Sequence, residues 1–119
     1  MDIRNLNLAY TYTTKDGSKI FELCHPANSK ATNLSLAIAY IEAGSATKPH
    51  IHKKGEEIYY ILDGKGKMYI DDKHSEVNPG DCVFIPPEAK HWIENNGKYK
   101  LVILCTSSPA YSHDDTELI

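Results

Sequence analysis

Residues 44–64 read GSATKPHIHKKGEEIYYILDG, and this stretch decides both the fold and the chemistry expected of the chain. Successive side chains of a β-strand point to opposite faces, so His50 and His52 share one face at a separation of about 6.5–7 Å. Glu57 can join them if the four residues between His52 and Glu57 turn the chain back. Imidazole nitrogens and a carboxylate oxygen that meet at one point are ligands for a divalent transition metal. The stretch therefore predicts a metal site built on β-structure.

A further ligand for this site is predicted much later in the chain. His91 follows a segment rich in glycine and proline, and from another strand it can complete the set formed by His50, His52 and Glu57. The remaining histidines show no such pattern and are expected to be ordinary surface or core residues; they are His25, His74 and His113.

Short apolar runs separated by turn residues extend along most of the chain. The strands predicted from these runs are 8–13, 20–24, 34–41, 50–52, 57–62, 67–71, 82–85, 91–94 and 101–105. The Asp16-Gly17 step favours a hairpin turn between the first two strands. Strands at this spacing predict an all-β sandwich or barrel. From Ser112 onward, the chain is expected to form one helical turn with Ser112 as its cap.

The length of 119 residues predicts one domain. Within that domain, N-terminal strands are expected in 1–33, a barrel core in 34–106 and a C-terminal tail in 107–119. The tail either folds over the barrel mouth, docks on a partner or remains loose, and docking is slightly favoured because Tyr111 offers an apolar anchor.

Composition excludes several classes of partner from the expected function. The formal net charge is −3 without a basic stripe, which argues against nucleic acid. The N-terminus carries no secretory pattern and no apolar run is long enough for a membrane helix, so a cytoplasmic protein is expected. The three cysteines are odd in number and widely spaced, so they are expected to be reduced thiols that act as small core residues.

Two segments, 58–62 and 101–105, are apolar on both faces. A sheet with one solvated face normally alternates apolar and polar residues. The second face of these strands must then be covered by the N-terminal strands or by a second subunit, and a homodimer is favoured. The alternative is ordinary exposed apolar surface, which is common in small proteins.

Two spaced motifs resemble those of the cupin superfamily. In the first, Gly44 is followed by His50-Ile51-His52, then Glu57 and Gly64, and every fixed position is met. In the second, Gly80 is followed by four further motif positions, of which only Glu88 departs from the pattern, because the family usually has glycine there. A glycine would ease a turn with positive φ, so this substitution questions the local loop shape. The other positions of the second motif match and are Pro86, His91 and Asn95.

The resemblance to small single-domain cupins implies a jelly-roll β-barrel of about six core strands, often dimeric. It also implies that a divalent ion (Fe, Mn, Zn, Ni, Co or Cu) is bound by His50, His52, Glu57 and His91. The resemblance implies no single reaction, since cupins include dioxygenases, isomerases, epimerases, decarboxylases, lyases, storage proteins and sensors.

Strand parity predicts which other side chains face the metal. Tyr59 lies two residues after Glu57, where it either hydrogen-bonds a substrate or packs, and packing is favoured. Lys48 either meets an anionic substrate or stays in solvent, and solvent is favoured. Glu57 is also a candidate proton acceptor if it leaves the metal.

Three functions are compatible with such a site. The first is a metal-dependent oxygenase or isomerase acting on a small oxygenated molecule, because a six-coordinate ion with four protein ligands keeps two open positions. The second is a non-catalytic, metal-assisted sensor or carrier of a small acid or sugar. The third is a structural metal, against which the open positions count.

Overall fold

The computed structural model describes all 119 residues as eleven strands and one short 3-10 helix at Leu6–Leu8. The strands are β1 Tyr10–Thr13, β2 Lys19–Cys24, β3 Ser35–Ile41, β4 His50–His52, β5 Glu56–Asp63, β6 Gly66–Ile70, β7 Lys73–Val77, β8 Cys82–Ile85, β9 His91–Glu94, β10 Leu101–Ser108 and β11 Thr116–Leu118. The all-β prediction is confirmed.

The strands form two sheets of the order β1-β2-β3-β10-β5-β8 and β11-β4-β9-β6-β7. From β3 onward the chain passes repeatedly from one sheet to the other, and this alternation rolls the sheets around a shared interior. Apolar side chains of both sheets meet in one cluster, with Ile61 and Ile103 from the first sheet and Met68 and Ile93 from the second. This arrangement is the expected jelly roll.

Two strands were not predicted from the sequence. Strand β7 reads KHSEV, and only Val77 is buried, so it lacks the apolar alternation that identifies a strand. Strand β11 follows the turn at Ser112, where only a helical turn was expected, and Thr116–Leu118 pairs antiparallel with β4. The Ser112 cap itself is present, since its Oγ accepts from the N–H of Asp114 and its carbonyl oxygen from the N–H of Asp115, both at 3.2 Å. The turn does not continue as a helix, because the residues after it satisfy their backbone groups by pairing with the distant β4.

The loop before β9 keeps its turn although glycine is missing from it. Glu88 has φ of 68°, the left-handed region that glycine normally occupies. Its N–H donates to the carbonyl oxygen of His52 at 2.7 Å, which ties the loop to β4. The departure from the motif therefore leaves the loop in a left-handed turn, at some conformational cost.

The cysteines differ from the expectation that all three are core residues. Cys105 packs against the core, but Cys24 is only half-buried and Cys82 is exposed. Cys82 begins β8 at the edge of its sheet, where its side chain has no covering layer. All three are free thiols.

The outer face of β5 is apolar and uncovered by the rest of the chain. Ile58, Tyr60 and Leu62 are exposed there, and Phe84 of the neighbouring β8 continues the patch. The N-terminal strands do not cover this face, since they lie at the opposite edge of the same sheet. No helix of the chain has the length and apolar character needed to cross a membrane.

Candidate metal centre

The structure brings the histidines of both motifs together. His50 and His52 come from β4 and His91 from β9, with His50 directly opposite His91 in the antiparallel pair. All three are buried, and one nitrogen of each lies within 4.8 Å of the corresponding nitrogen of the others. Because residues i and i+2 share a face of a strand, β4 presents both of its imidazoles to the interior.

Two of the imidazoles are oriented by their own backbone. His50 Nδ1 lies 2.8 Å from the carbonyl oxygen of Lys48, and His91 Nδ1 lies 2.9 Å from that of Ala89. A carbonyl oxygen only accepts, so each Nδ1 carries the proton and donates. The Nε2 lone pair of each ring is then free for a cation, as in the outer-sphere hydrogen bonds of known metal sites.

The third imidazole is oriented by the C-terminal segment. His52 Nδ1 lies 3.0 Å from Thr116 Oγ1, and this hydroxyl donates its own proton to the carbonyl oxygen of Ser112 at 2.9 Å. The hydroxyl therefore accepts from His52, which places the proton on Nδ1 and leaves Nε2 free. The tail of the chain is part of the site.

Glu57 completes the cluster from the start of β5. Its Oε1 lies 3.2 Å from His52 Nε2 and 3.6 Å from His91 Nε2. Glu57 Oε1 and His91 Nε2 are also the two buried side-chain polar atoms that have no hydrogen-bond partner. A buried polar group without a partner costs about 1–3 kcal/mol, and a cation between these atoms would satisfy both. The donors present therefore fit a divalent ion.

The electrostatics of the cluster keep Glu57 charged. Burial alone would raise its pKa, but the close imidazoles of His52 and His91 outweigh burial and lower the pKa to about 2. Glu57 is thus a permanent carboxylate near neutral pH. This favours a role as an anionic ligand over the role of proton carrier that was also predicted for it.

The two histidines of β4 differ in their affinity for protons. Burial and the neighbouring His91 lower the pKa of His50, so that ring is neutral at neutral pH. Burial would also lower the pKa of His52, but the Glu57 carboxylate raises it above its ordinary value. Of the two rings on β4, His52 is therefore the one at which a metal ion must compete with a proton.

A cavity lies directly beside the cluster, and the centres of water-sized molecules can occupy about 50 Å³ of it. His50, His52 and Glu57 line one side. The facing sides come from the β1–β2 hairpin, β3, β10 and the tail. Strand β3 contributes only small side chains there, and their size leaves room for a ligand: Ser35, Ala37 and Ala39.

Of the two other residues that strand alternation predicted to face the metal, one lies in the cavity and one in solvent. Tyr59 lines the cavity and packs in the core, and burial raises its pKa well above the ordinary value, so the phenol keeps its proton. Lys48 is exposed and does not line the cavity. The Lys48 ammonium group therefore does not face a ligand bound in the cavity.

Asp16 belongs to the cavity, and its role was missed in the sequence. It is buried, and its Oδ2 lies 3.8 Å from His50 Nε2. Asp followed by Gly is a typical turn signal, so Asp16 was interpreted only as part of a hairpin. Nothing in the local pattern indicates that the hairpin folds back over the metal cluster.

Comparison with known proteins agrees with this geometry. The model of the Cupin domain family matches residues 37–107, which include both motifs. The chain belongs to the cupin family. As a cupin it is 52% identical, over 108 residues, to an uncharacterized protein, MJ1618, of Methanocaldococcus jannaschii; the match covers 91% of this chain and 86% of that protein.

Two other matches describe the range of cupins that resemble this one. Glucose-6-phosphate isomerase of Thermococcus gammatolerans is 36% identical over 75 residues, which cover 57% of this chain and 40% of that protein. The crystal structure of a predicted oxalate decarboxylase from Thermotoga maritima superposes with a TM-score of 0.78 at 23% identity, covering 91% of this chain and 99% of that one. The structural match shows the shared fold alone.

Proposed function

We propose that this cupin is a metal-dependent enzyme of isomerase type that acts on a small oxygenated molecule. The observation that carries the proposal is the convergence of four buried donors, two of which offer atoms without any hydrogen bond, Glu57 Oε1 and His91 Nε2. The ion would be held by His50, His52, Glu57 and His91. Imidazole with carboxylate suits several first-row ions, so Fe, Mn, Zn, Ni, Co and Cu are all candidates.

When bound, a divalent ion acts as a Lewis acid that polarises a substrate carbonyl or hydroxyl. Three neutral imidazoles and one carboxylate leave a net charge of +1 on the centre. Each Nδ1 hydrogen bond holds its imidazole in the tautomer that exposes Nε2. The chain thus prepares the site before any ion arrives.

The protein groups around the centre suit hydrogen bonding to a molecule that a bound ion would polarise. Tyr59 is a protonated phenol beside the cluster and is available as a hydrogen-bond donor. The low pKa of Glu57 keeps this carboxylate charged. Core residues that also line the cavity, among them Ile20 and Ala39, exclude water and strengthen each of these interactions.

Isomerase chemistry is favoured over dioxygenase chemistry by the match to a glucose-6-phosphate isomerase. The chain spans 40% of that protein's length, so the match concerns the barrel and not the whole enzyme. The shared feature would be proton movement between neighbouring carbons of a hydroxycarbonyl compound.

Deuterium exchange tests the proposal whatever the product of the reaction is. The chain is loaded separately with each candidate ion and incubated in D₂O with small hydroxyketones and hydroxyaldehydes. Proton transfer next to a carbonyl replaces a C–H signal with deuterium, which NMR detects. We expect exchange in the wild type and in His74→Ala, and none in His91→Ala.

Two outcomes separate the alternatives. Oxygen consumption by the Fe-loaded chain, without deuterium exchange, would assign the site to the dioxygenase class instead. Elemental analysis that finds no stoichiometric ion after loading with any of these metals would refute the metal centre itself.

A homodimer is part of the proposal. The patch formed by Ile58, Tyr60, Leu62 and Phe84 is contiguous across β5 and β8 and has no cover in the monomer. A second copy that pairs this face with itself would bury it in the symmetric way that most small oligomers use. Sedimentation of the wild type and of Phe84→Asp tests this: the variant should shift toward monomer.

A cytoplasmic location is also proposed. All three cysteines are unpaired, and one of them, Cys82, is exposed. Exposed free thiols persist in reducing compartments.

A further inference from the structure

The cavity beside the candidate metal centre has an acidic lining. Among its sixteen lining residues are Asp16, Glu22 and Glu57, and none is lysine or arginine. Glu22 lies near the outer end, where Tyr12 donates to it at 3.3 Å and His25 lies 3.8 Å away. The only cationic charge facing a ligand would therefore be the ion itself.

Asp16 is placed to act on whatever binds there. Its Oδ1 accepts hydrogen bonds from the Thr14 hydroxyl and from the Ser18 N–H and hydroxyl, the last two at 2.9 and 2.7 Å. These bonds hold the carboxylate so that Oδ2 faces His50 Nε2 at 3.8 Å. One oxygen is used by the hairpin, and the other points toward the cluster.

The unpartnered atoms of the cluster show that the site is built for an occupant. Glu57 Oε1 and His91 Nε2 are buried without hydrogen bonds, and Asp16 is buried in the wall of the cavity that Glu57 also lines. A bound anion would have to approach the fixed Asp16 carboxylate with no basic side chain to offset the repulsion. A ligand hydroxyl would instead donate to that carboxylate in a charge-assisted hydrogen bond.

We propose that the cavity selects a small uncharged hydroxylated compound, such as an unphosphorylated hydroxyketone, and that Asp16 Oδ2 accepts a hydrogen bond from a ligand hydroxyl while repelling anions. This inference rests on the proposed metal centre and names the substrate class for it. The small cavity volume fits a ligand of few heavy atoms. A preference for uncharged ligands would distinguish this chain from the two proteins described above whose names specify a sugar phosphate and oxalate.

Two probes of equal size test the charge selection. Dihydroxyacetone and oxalate each have six non-hydrogen atoms and can each offer two oxygens to an ion, but oxalate carries two negative charges. Their dissociation constants are measured on the Co(II)-loaded chain from the absorption spectrum of the ion. The variant Asp16→Asn keeps the Oδ1 acceptor that the hairpin uses and removes the charge that faces the cavity.

We expect the two probes to respond in opposite directions. Asp16→Asn should bind oxalate about tenfold more tightly than the wild type does, because the repulsion is gone. It should bind dihydroxyacetone about threefold more weakly, because a charge-assisted hydrogen bond is lost. Asp72→Asn, which removes an exposed charge in the β6–β7 turn, should change neither constant.

The wild type provides a second measurement that requires no variant. Dihydroxyacetone should bind about fivefold more tightly than dihydroxyacetone phosphate, because the cavity has no cation to receive the phosphate. Equal or tighter binding of the phosphate would overturn the inference. The inference would also be overturned if Asp16→Asn bound neither dihydroxyacetone nor oxalate, because that result would indicate a general structural role for Asp16.

The metal affinity, measured first on each variant, separates this inference from the proposed function. If Asp16→Asn keeps its Co(II) affinity but the affinities for oxalate and dihydroxyacetone do not change in opposite directions, the proposed selectivity is refuted and the metal centre stands. A loss of about a hundredfold in Co(II) affinity would mean that Asp16 binds the ion directly, which also overturns the inference. Failure of the wild type to bind Co(II) or any other candidate ion would refute both.

Discussion

The two sides of the cavity are built in different ways. The ligand wall carries the donors of β4, β5 and β9, which are His50, His52, Glu57 and His91, and all but His91 line the cavity. The hairpin wall consists of 10–24, and it supplies Asp16 to the same cavity. Residues of the ligand wall are recognisable from spacing, whereas the hairpin wall consists of ordinary turn and strand residues. The difference indicates that the cluster of donors follows the family motifs, while the rest of the cavity lining depends on the segment that folds over them.

The ligand wall also contains a contrast of its own. His50 and His91 are each held by a carbonyl two residues earlier on their own chain segment. His52 is held by the Thr116 hydroxyl, which comes from the tail. A substitution can remove the side-chain hydroxyl that accepts from His52 Nδ1, but it cannot remove the backbone carbonyls that accept from the other two imidazoles.

Removal of a motif histidine should have the largest effect. In His91→Ala the affinity for a divalent ion should fall at least about a hundredfold, which is about 2.7 kcal/mol, because a ligand is lost. Competition with a chromophoric chelator measures this. The matched control is His74→Ala, whose histidine is exposed on β7 and should leave the affinity unchanged. If both variants bind the ion with the same affinity, His91 is not a ligand and the assignment of the ligand wall is wrong.

The pH dependence tests the difference between the two histidines of β4. The raised pKa of His52 means that an ion must displace a proton there. Metal affinity should therefore fall as the pH drops through that pKa, by about tenfold per pH unit for one displaced proton. At higher pH the affinity should level off, since the lowered pKa of His50 keeps that ring neutral. Chelator competition from pH 8 to 5 measures the slope, and a flat profile would contradict the ligand set.

Loss of the tail support should have a smaller effect. Thr116→Val keeps the shape of the side chain but removes the hydroxyl that accepts from His52 Nδ1. Metal affinity should fall about tenfold, because the ring loses its fixed tautomer and orientation. The control is Thr13→Val, an exposed threonine of the hairpin wall, where the affinity should stay the same. Equal affinities in both variants would show that the tail does not support the site.

The smallest effect concerns the loop before β9, where one position departs from the family pattern. Glu88→Gly should stabilise the fold by about 0.5–1 kcal/mol, because glycine adopts the observed φ of 68° without a steric penalty. Asp71→Gly gives the comparison: Asp71 has φ of 53°, but its carboxylate accepts from the N–H of Lys90, so the gain should be cancelled. Chemical denaturation measures both, and a destabilised Glu88→Gly would show that the glutamate side chain contributes to the loop.

Much of the fold was predictable because its signals are local. Turn residues and apolar runs located nine strands, and motif spacing identified the four residues that converge. The rest depends on pairing across the chain. Strand β7 is too polar to show alternation, and β11 exists only because Thr116–Leu118 meets β4. A hydrogen-bonded ladder satisfies backbone groups in either case, whatever the local pattern favours.

By itself, the sequence determined that this chain carries both cupin motifs, since residue type and spacing are encoded within short segments. Only the tertiary structure decided that Asp16 and Thr116 belong to the same site, because each reaches it from a segment far from the motifs. Side-chain identity sets which chemistry is available, but charge and hydrogen bonding act over a few ångströms of space. Such distances are settled by packing of the two sheets and by the hairpin and tail that close over them.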